Sequence, residues 1–340
     1  MIEIIIKCNF IVLIKEIFLH MKNILTIVFT FLFAITGYEQ QKNASPSFQI
    51  IPLGIQGGLD ESNLSAYMIA AGGSNNYICL DAGTIYAGLK KINNSKLFPG
   101  SSTDDIQKKN IKAYFISHAH LDHVAGLILN SPNDLAKPIY ALPSVLDILK
   151  NNYFTWKSWA NFGSDGDKPI LNKYSYQPLT AGIEINIPNT ELNVTPFVLS
   201  HVKPYESTAF LVGNKNNYVL YLGDTGADAV EQSRQLDKLW TAIAGIIKAG
   251  QLKAIFIEVS FNNSIPDKSL FGHLTPRLWM QEMLALNKHC DGLLKYTPIY
   301  ITHIKPCSNC EVNIKKELTT ANTIGLTILY PSQGKPIELK

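Results

Sequence analysis

Between residues 48 and 340, short apolar runs rich in β-branched and aromatic side chains recur, with helical spacing between them. The runs at 49–53, 66–70, 77–81, 111–117, 194–200, 218–222, 254–259, 299–302 and 325–330 have strand length and read as buried strands. Apolar residues three and four apart predict helices over 143–151, 228–249, 275–288 and 313–320. No repeat or low-complexity linker interrupts this series, so residues 48–340 read as one domain. Strands mixed with helices in one chain predict an α+β fold: two mixed sheets packed face to face, with helices outside. The polar stretch 152–173, with Trp156, Trp159 and the segment 163–167, reads as a surface insertion between core elements.

The amino terminus follows a different pattern. Residues 1–20 are apolar but broken by Lys7, Lys15 and Glu16, which makes a poor membrane span. Met21-Lys22-Asn23 then opens an uncharged apolar run over 24–35, followed by Thr36-Gly37 and a polar stretch reaching Ser47. A basic start, a short apolar centre and small residues after it describe a secretory signal peptide beginning at Met21. Residues 1–47 are thus expected to be leader and short linker, and the mature protein periplasmic or secreted, with no stable membrane partner after cleavage. The competing reading is an uncleaved anchor, which the shortness of the central run disfavours. No Cys follows that run, which argues against a lipoprotein.

Composition narrows the picture further. A net charge of +3, without a long basic run, gives no footprint for nucleic acid or a membrane surface. Of five Cys, Cys8 precedes the domain; Cys79, Cys290, Cys307 and Cys310 remain. Cys307 and Cys310 form one C-x-x-C without the second pair that a structural zinc knuckle needs. Following Lys305-Pro306, they read as lying in a loop, either joined locally or as two inert thiols.

The chemistry concentrates at strand ends. Directly after the strand at 111–117 stands His118-Ala119-His120-Leu121-Asp122-His123, three imidazoles and a carboxylate within six residues. That is the donor set of first-row divalent metals, zinc above all, and such crowded rings are costly to desolvate unless bound. Two metals need more ligands than this run offers. His201, Asp224 and His303 each close another apolar run, with Asp81 and Glu258 in the same kind of position.

The run from His118 to His123 resembles the signature of the metallo-β-lactamase superfamily. Continued through Val124-Ala125-Gly126-Leu127-Ile128-Leu129-Asn130-Ser131-Pro132, it is similar, without departure, to the narrower signature of class II cyclic-nucleotide phosphodiesterases. Further stretches resemble the same family: Gly57-Gly58-Leu59, Leu80-Asp81-Ala82-Gly83-Thr84, Ser207-Thr208-Ala209-Phe210, Ile257-Glu258-Val259-Ser260-Phe261, Gly272-His273-Leu274-Thr275-Pro276 and Thr302-His303-Ile304-Lys305-Pro306. The likeness spans about residues 48–335, apart from the insertion and the C-x-x-C.

The resemblance implies a metallo-β-lactamase-like αββα sandwich holding two divalent cations, zinc first, with manganese or iron as alternatives. One takes His118, His120 and His201, the other Asp122, His123 and His303, and Asp224 bridges them. The implied reaction opens 3′,5′-cyclic AMP or GMP to the 5′-monophosphate, using a hydroxide held between the cations, with Asp122 also in the catalytic set. It further implies that His273, oriented by Glu258, protonates the departing 3′-oxygen; otherwise His273 merely fixes a helix entry, with Thr275 as N-cap and Pro276 first in the helix. Asp81, outside the ligand set, would hold a ligand or loop in place. Tyr67, Tyr205, Phe210, Phe261 and Phe271 are candidates to stack a base, and Ser207 and Thr208 to donate to a phosphoryl oxygen. A cyclic nucleotide is the one partner expected; oligomeric state stays open, a dimer among the options. Competing functions are another hydrolase on this fold, acting on a phosphodiester, sulfate ester, lactone or β-lactam, or a non-catalytic exported metal binder.

Overall fold

The computed structural model describes Phe18, His20–Lys22, Ser45–Ile92 and Leu97–Lys340. The leader expected over residues 1–47 therefore lies almost wholly outside the described residues. No helix among the described residues is long and apolar enough to cross a membrane. Residues Pro46–Lys340 form one compact unit.

That unit contains two seven-stranded sheets. The first runs β14-β1-β2-β3-β4-β5-β6, built from β1 (Phe48–Gly54), β2 (Ala66–Ala71), β3 (Tyr77–Leu80), β4 (Ile111–Phe115), β5 (Lys137–Ala141), β6 (Tyr174–Pro178) and β14 (Ile337–Leu339). The second runs β13-β12-β11-β10-β9-β8-β7, from β7 (Ile185–Asn186), β8 (Asn193–Ser200), β9 (Glu206–Asn214), β10 (Asn217–Leu222), β11 (Leu252–Glu258), β12 (Ile299–Thr302) and β13 (Ile328–Leu329).

Period-two alternation explains the layering. Along β9, β10 and β11, Phe210, Val212, Val219, Tyr221, Ala254 and Phe256 pack with the first sheet. Their neighbours Leu211, Leu220, Leu222, Ile255 and Ile257 instead join the helices Gln235–Lys248, Pro276–His289 and Cys310–Ala321. A strand buried on both faces reads as a nearly continuous apolar run, which is why these strands are visible in the sequence. Each large side chain fully buried here, such as Phe256, contributes about 1.5–3 kcal/mol.

Direction matters more than order for the site. The ladders make β1, β3, β4, β5 and β6 parallel to one another, and likewise β8, β10, β11 and β12. The loops after β1, β3, β4, β8, β10, β11 and β12 therefore leave carboxyl ends of strands, the position where such sheets bind ligands.

Several expectations need correction. β5, β6, β7, β9 and β14 were not predicted, most being short, edge-placed or half-polar. The helix expected over 228–249 is two: a turn at Asp228–Glu231 ends on Gln232 in the left-handed region (φ 49°), and the main helix starts at Gln235. Asp228 drives the break, because its carboxylate accepts from the backbone N–H of Leu236 and Asp237. The insertion at 152–173 is irregular but tied down. Phe154 is fully buried, the Asn161 amide donates to the carbonyls of Asp165 and Asp167, and Trp159 Nε1 donates to Ser131 Oγ. Cys307 and Cys310 form a disulfide that is not confined to a loop, since Cys310 opens the helix Cys310–Ala321 after β12. Cys79 and Cys290 are free and buried.

Candidate metal centre

The segment 116–120 is a short extended loop between β4 and the helix Leu121–Asn130, so His118 and His120 leave the loop while Asp122 and His123 leave the first turn of the helix. His118 Nε2 lies 3.1 Å from His120 Nδ1, and His201 Nε2, from the loop after β8, lies 3.2 Å from the same atom. Three ring nitrogens thus face one point. One helical turn on, His123 Nε2 sits 3.1 Å from His303 Nε2, which is 3.3 Å from Asp122 Oδ2. Asp224 Oδ2 stands 3.4 Å from His123 Nε2, 3.2 Å from His303 Nε2 and 3.8 Å from His118 Nε2. It belongs to the second group and reaches toward the first at His118. All seven predicted ligands are therefore brought together.

Four of the five imidazoles, those of His118, His123, His201 and His303, are oriented by a bond on the far side. His123 Nδ1 meets Asp81 Oδ2 at 2.8 Å, and the same carboxylate accepts from Ser117 N (2.7 Å), Ser117 Oγ (2.8 Å) and Tyr221 OH (2.7 Å). Asp81 is wholly buried with φ at 54°, so it is fixed by those four bonds rather than by solvent. His201 Nδ1 donates to the Gly272 carbonyl at 2.8 Å, and Ser117 Oγ lies 3.0 Å from His118 Nδ1. His303 Nδ1 is 2.9 Å from Ser260 Oγ, whose proton goes to Glu258 Oε2. Such outer bonds set the tautomer and leave the inner nitrogen free to ligate.

Two glycines make room. A Cβ on Gly57 would stand 2.2 Å from the His303 ring, and Gly58, at φ 51°, donates its N–H to Asp122 Oδ2 at 2.9 Å. Gly57, Gly58, Ser117, Tyr221 and Ser260 carry no role in the sequence reading beyond, for most of them, membership of a resembling stretch. Nothing in their residue types announces a role that depends on a distant partner.

Electrostatics match a site built for cations. Burial pushes His201 down to about 4, and burial with the nearby His123 ring drives His118 well below its ordinary value. Burial alone would raise Asp224, yet the rings of His303, His123 and His273 outweigh it and keep the carboxylate ionised. Burial works against a charged His123 too, but Asp224, Asp81 and Asp122 raise it well above its ordinary value, so neutral rings at His118 and His201 stand beside a protonated one on Asp224. A divalent cation of zinc, manganese or iron would take those nitrogens and that carboxylate in place of the proton. The first group is the clearest case, because His118 Nε2 and His201 Nε2 both face His120 Nδ1, at 3.1 and 3.2 Å, which sets three acceptor nitrogens together with too few donors among them. The residues present fit a pair of divalent cations.

Beside the cluster lies the expected acid. His273 Nδ1 meets Glu258 Oε1 at 2.9 Å, and the same oxygen accepts from Thr225 N at 2.9 Å. Burial works against a charged His273, but the carboxylates of Glu258 and Asp224 prevail and raise its pKa. Its Nε2 makes no hydrogen bond among the described residues. The helix-entry reading holds as well: Thr275 Oγ1 accepts from Leu278 N at 3.4 Å, and Pro276 opens the helix. The two roles are compatible, since Thr275 does the capping and His273 does not.

Other candidates separate. Tyr67 and Phe210 are buried in the core and cannot stack a base. Ser207 and Thr208 are fully buried as well, and Thr208 Oγ1 donates to the Ser117 carbonyl, so neither reaches a phosphoryl oxygen. Tyr205 and Phe271 are exposed, and Phe261 packs 5.6 Å from the His273 ring. A cavity of about 270 Å³ opens beside His118 and His120, and one of about 280 Å³ beside Asp122 and Gly58. A larger depression, about 640 Å³ between the helices Pro276–His289 and Cys310–Ala321, contains none of these groups. Size is a poor guide here, because the chemistry lies elsewhere.

Comparison with known proteins agrees. The chain is 40% identical over 331 residues to the 3′,5′-cyclic-nucleotide phosphodiesterase of Aliivibrio fischeri, covering 93% of this chain and 99% of that one. It is 35% identical over 306 residues to a probable 3′,5′-cyclic-nucleotide phosphodiesterase of Yersinia pestis, covering 86% and 89%. In structure it is similar to unliganded yeast PDE1, with a TM-score of 0.76 at 22% identity, over 86% of this chain and 100% of that one. It also resembles the metallo-β-lactamase fold protein YhfI of Bacillus subtilis, with a TM-score of 0.59 at 14% identity, over 86% and 99%. Residues 47–334 match the class-II cAMP phosphodiesterases, and with the sandwich and cluster described above, this chain belongs to that family on a metallo-β-lactamase fold.

Proposed function

We propose that the chain hydrolyses 3′,5′-cyclic nucleotides to nucleoside 5′-monophosphates and depends on two divalent cations, zinc being the first candidate. The observation that carries the reading is the seven-ligand cluster with a His–Glu pair at its edge, in a chain of this family. His118, His120 and His201 would hold one cation; Asp122, His123 and His303 would hold the other, with Asp224 shared. When bound, the cations neutralise charge on the phosphoryl oxygens and supply a nucleophile from water at neutral pH.

The remaining work falls to protein groups. Glu258 holds the Nδ1 proton of His273, which leaves Nε2 to carry a second proton. Delivered to the 3′-oxygen as its bond to phosphorus breaks, that proton turns a poor leaving group into a neutral hydroxyl. Water supplies the oxygen added to phosphorus, so the product is the 5′-monophosphate with a free 3′-hydroxyl. A metal store would have no use for a buried His–Glu pair aimed beside the cluster, which favours the enzyme over a non-catalytic binder. The leader expected at Met21 supports action outside the cytoplasm.

Chromatography of cAMP or cGMP incubated with purified protein tests this. The expected product is the 5′-nucleotide, lost with chelator and restored by zinc. Formation of the 3′-nucleotide, or no turnover of either substrate with metal present, would overturn it.

A further inference from the structure

Of the two cavities flanking the metal centre, the one beside His118 and His120 has the walls of a purine site. Tyr205, half exposed, sets its ring 5.9 Å from that of His120, and Val145 and Ile148 also line the space. The cavity beside Asp122 has no aromatic lining and exposes Leu59 and Leu121 instead. On the rim of the first, Glu206 at the start of β9 accepts from Ser144 Oγ through Oε2 at 3.1 Å. That bond spans the two halves of the sandwich and holds the carboxylate at the cavity, with acceptor capacity left over.

We propose that Tyr205 and Glu206 form the base-recognition site and that Glu206 makes the enzyme prefer cGMP to cAMP. The inference rests on the cyclic-nucleotide reading above. A carboxylate offers acceptors only. Guanine presents two adjacent donors, N1–H and the 2-amino group, and so meets both oxygens in parallel, a charge-assisted bidentate pair. Adenine presents its 6-amino group beside N1, which is an acceptor, so one oxygen is engaged and the other faces a lone pair. A carboxylate close to an anionic substrate is repulsive, and a donor-rich base offsets that repulsion. A side-chain amide has the opposite pattern: one acceptor and one donor side by side match the 6-amino group and ring nitrogen of adenine. Stacking on Tyr205 is indifferent to the base, since every base has a π-face.

The test compares kcat/KM for cGMP and cAMP in the zinc-loaded wild type, Glu206→Gln and Tyr205→Ala, with bis(p-nitrophenyl) phosphate as a substrate lacking a base. Wild type is expected to favour cGMP by about tenfold, and Glu206→Gln to lower the cGMP/cAMP ratio by about tenfold or more. Tyr205→Ala is expected to raise KM for both nucleotides by roughly tenfold with the ratio kept. Calorimetric binding of GMP and AMP gives a second readout of the same ratio. An unchanged ratio in Glu206→Gln, a wild-type preference for cAMP, or an equal loss on all three substrates would overturn the assignment. Wild type that cleaves bis(p-nitrophenyl) phosphate and neither nucleotide would instead sink the proposed function, and this inference with it.

Discussion

Glu258→Gln isolates the acid at the edge of the cluster without touching a proposed metal ligand. In the native site Oε1 accepts from His273 Nδ1 and Thr225 N, both at 2.9 Å, while Oε2 accepts from Ser260 Oγ and, at 3.3 Å, from Leu274 N. A glutamine must place its NH2 on one side or the other. Either way it confronts a buried backbone N–H, of Thr225 or of Leu274, and that clash costs about 1–3 kcal/mol of stability. The kinetic effect is larger and more telling. With the charge of the carboxylate gone, only Asp224 still favours the charged His273 ring, and an amide turned with its NH2 toward Nδ1 meets it with a donor instead of an acceptor, so Nε2 arrives protonated far less often. General-acid assistance is worth about 10²–10⁴-fold, and kcat on cAMP should fall within that range. Bis(p-nitrophenyl) phosphate expels an anion that is stable without a proton, so its hydrolysis should fall by less than about tenfold. Both substrates would be measured on protein matched for metal content and shown folded by thermal melting. An equal fall on both would refute the acid role and leave Glu258 a purely structural support.

Two other changes probe how the ligands are held. Gly57→Ala places a methyl group 2.2 Å from the His303 ring, so the ring must move and loosen its hold on the second cation; metal analysis should show its affinity down by about 10–100-fold, and retained stoichiometry at limiting zinc would count against this packing argument. Asp81→Asn removes the charge that orients His123 and turns one acceptor into a donor facing Ser117, Tyr221 or His123; zinc affinity should drop by about 10–100-fold, with a fall in melting temperature, whereas wild-type affinity would mean that His123 needs no such partner.

Much of this was legible in the sequence because it rests on local pattern. β4 and the ligands after it form one continuous stretch, so strand, loop and donor set appear together. His201, Asp224 and His303 were recognisable by their place at the end of apolar runs, and strand direction explains why those ends coincide. The supporting layer was not legible in the same way. Ser260 matters only because β11 and β12 pair in parallel, with Glu258 opposite Thr302, which brings its hydroxyl between Glu258 and His303. Tyr221 reaches Asp81 across 140 positions of sequence, and no period or motif encodes that contact. Ser207 and Thr208 misled for the converse reason: near the His201 loop in sequence, they face inward on β9, a strand whose polar start hid it. The break after Glu231 was missed because helical spacing continues across it, while the Asp228 carboxylate captures the next helix's backbone donors. Glu206 carried no signal at all, since its value lies in the cavity it edges.

Equilibrium metal titration of chelator-stripped protein, read by calorimetry and elemental analysis, bears most directly on the centre itself. Seven side chains converging on two points predict two zinc ions per chain, falling to one in His303→Ala, with cyclic-nucleotide hydrolysis returning only as the second ion binds. A single ion per chain at full activity, or two ions undisturbed by the loss of His303, would contradict the arrangement on which the rest depends.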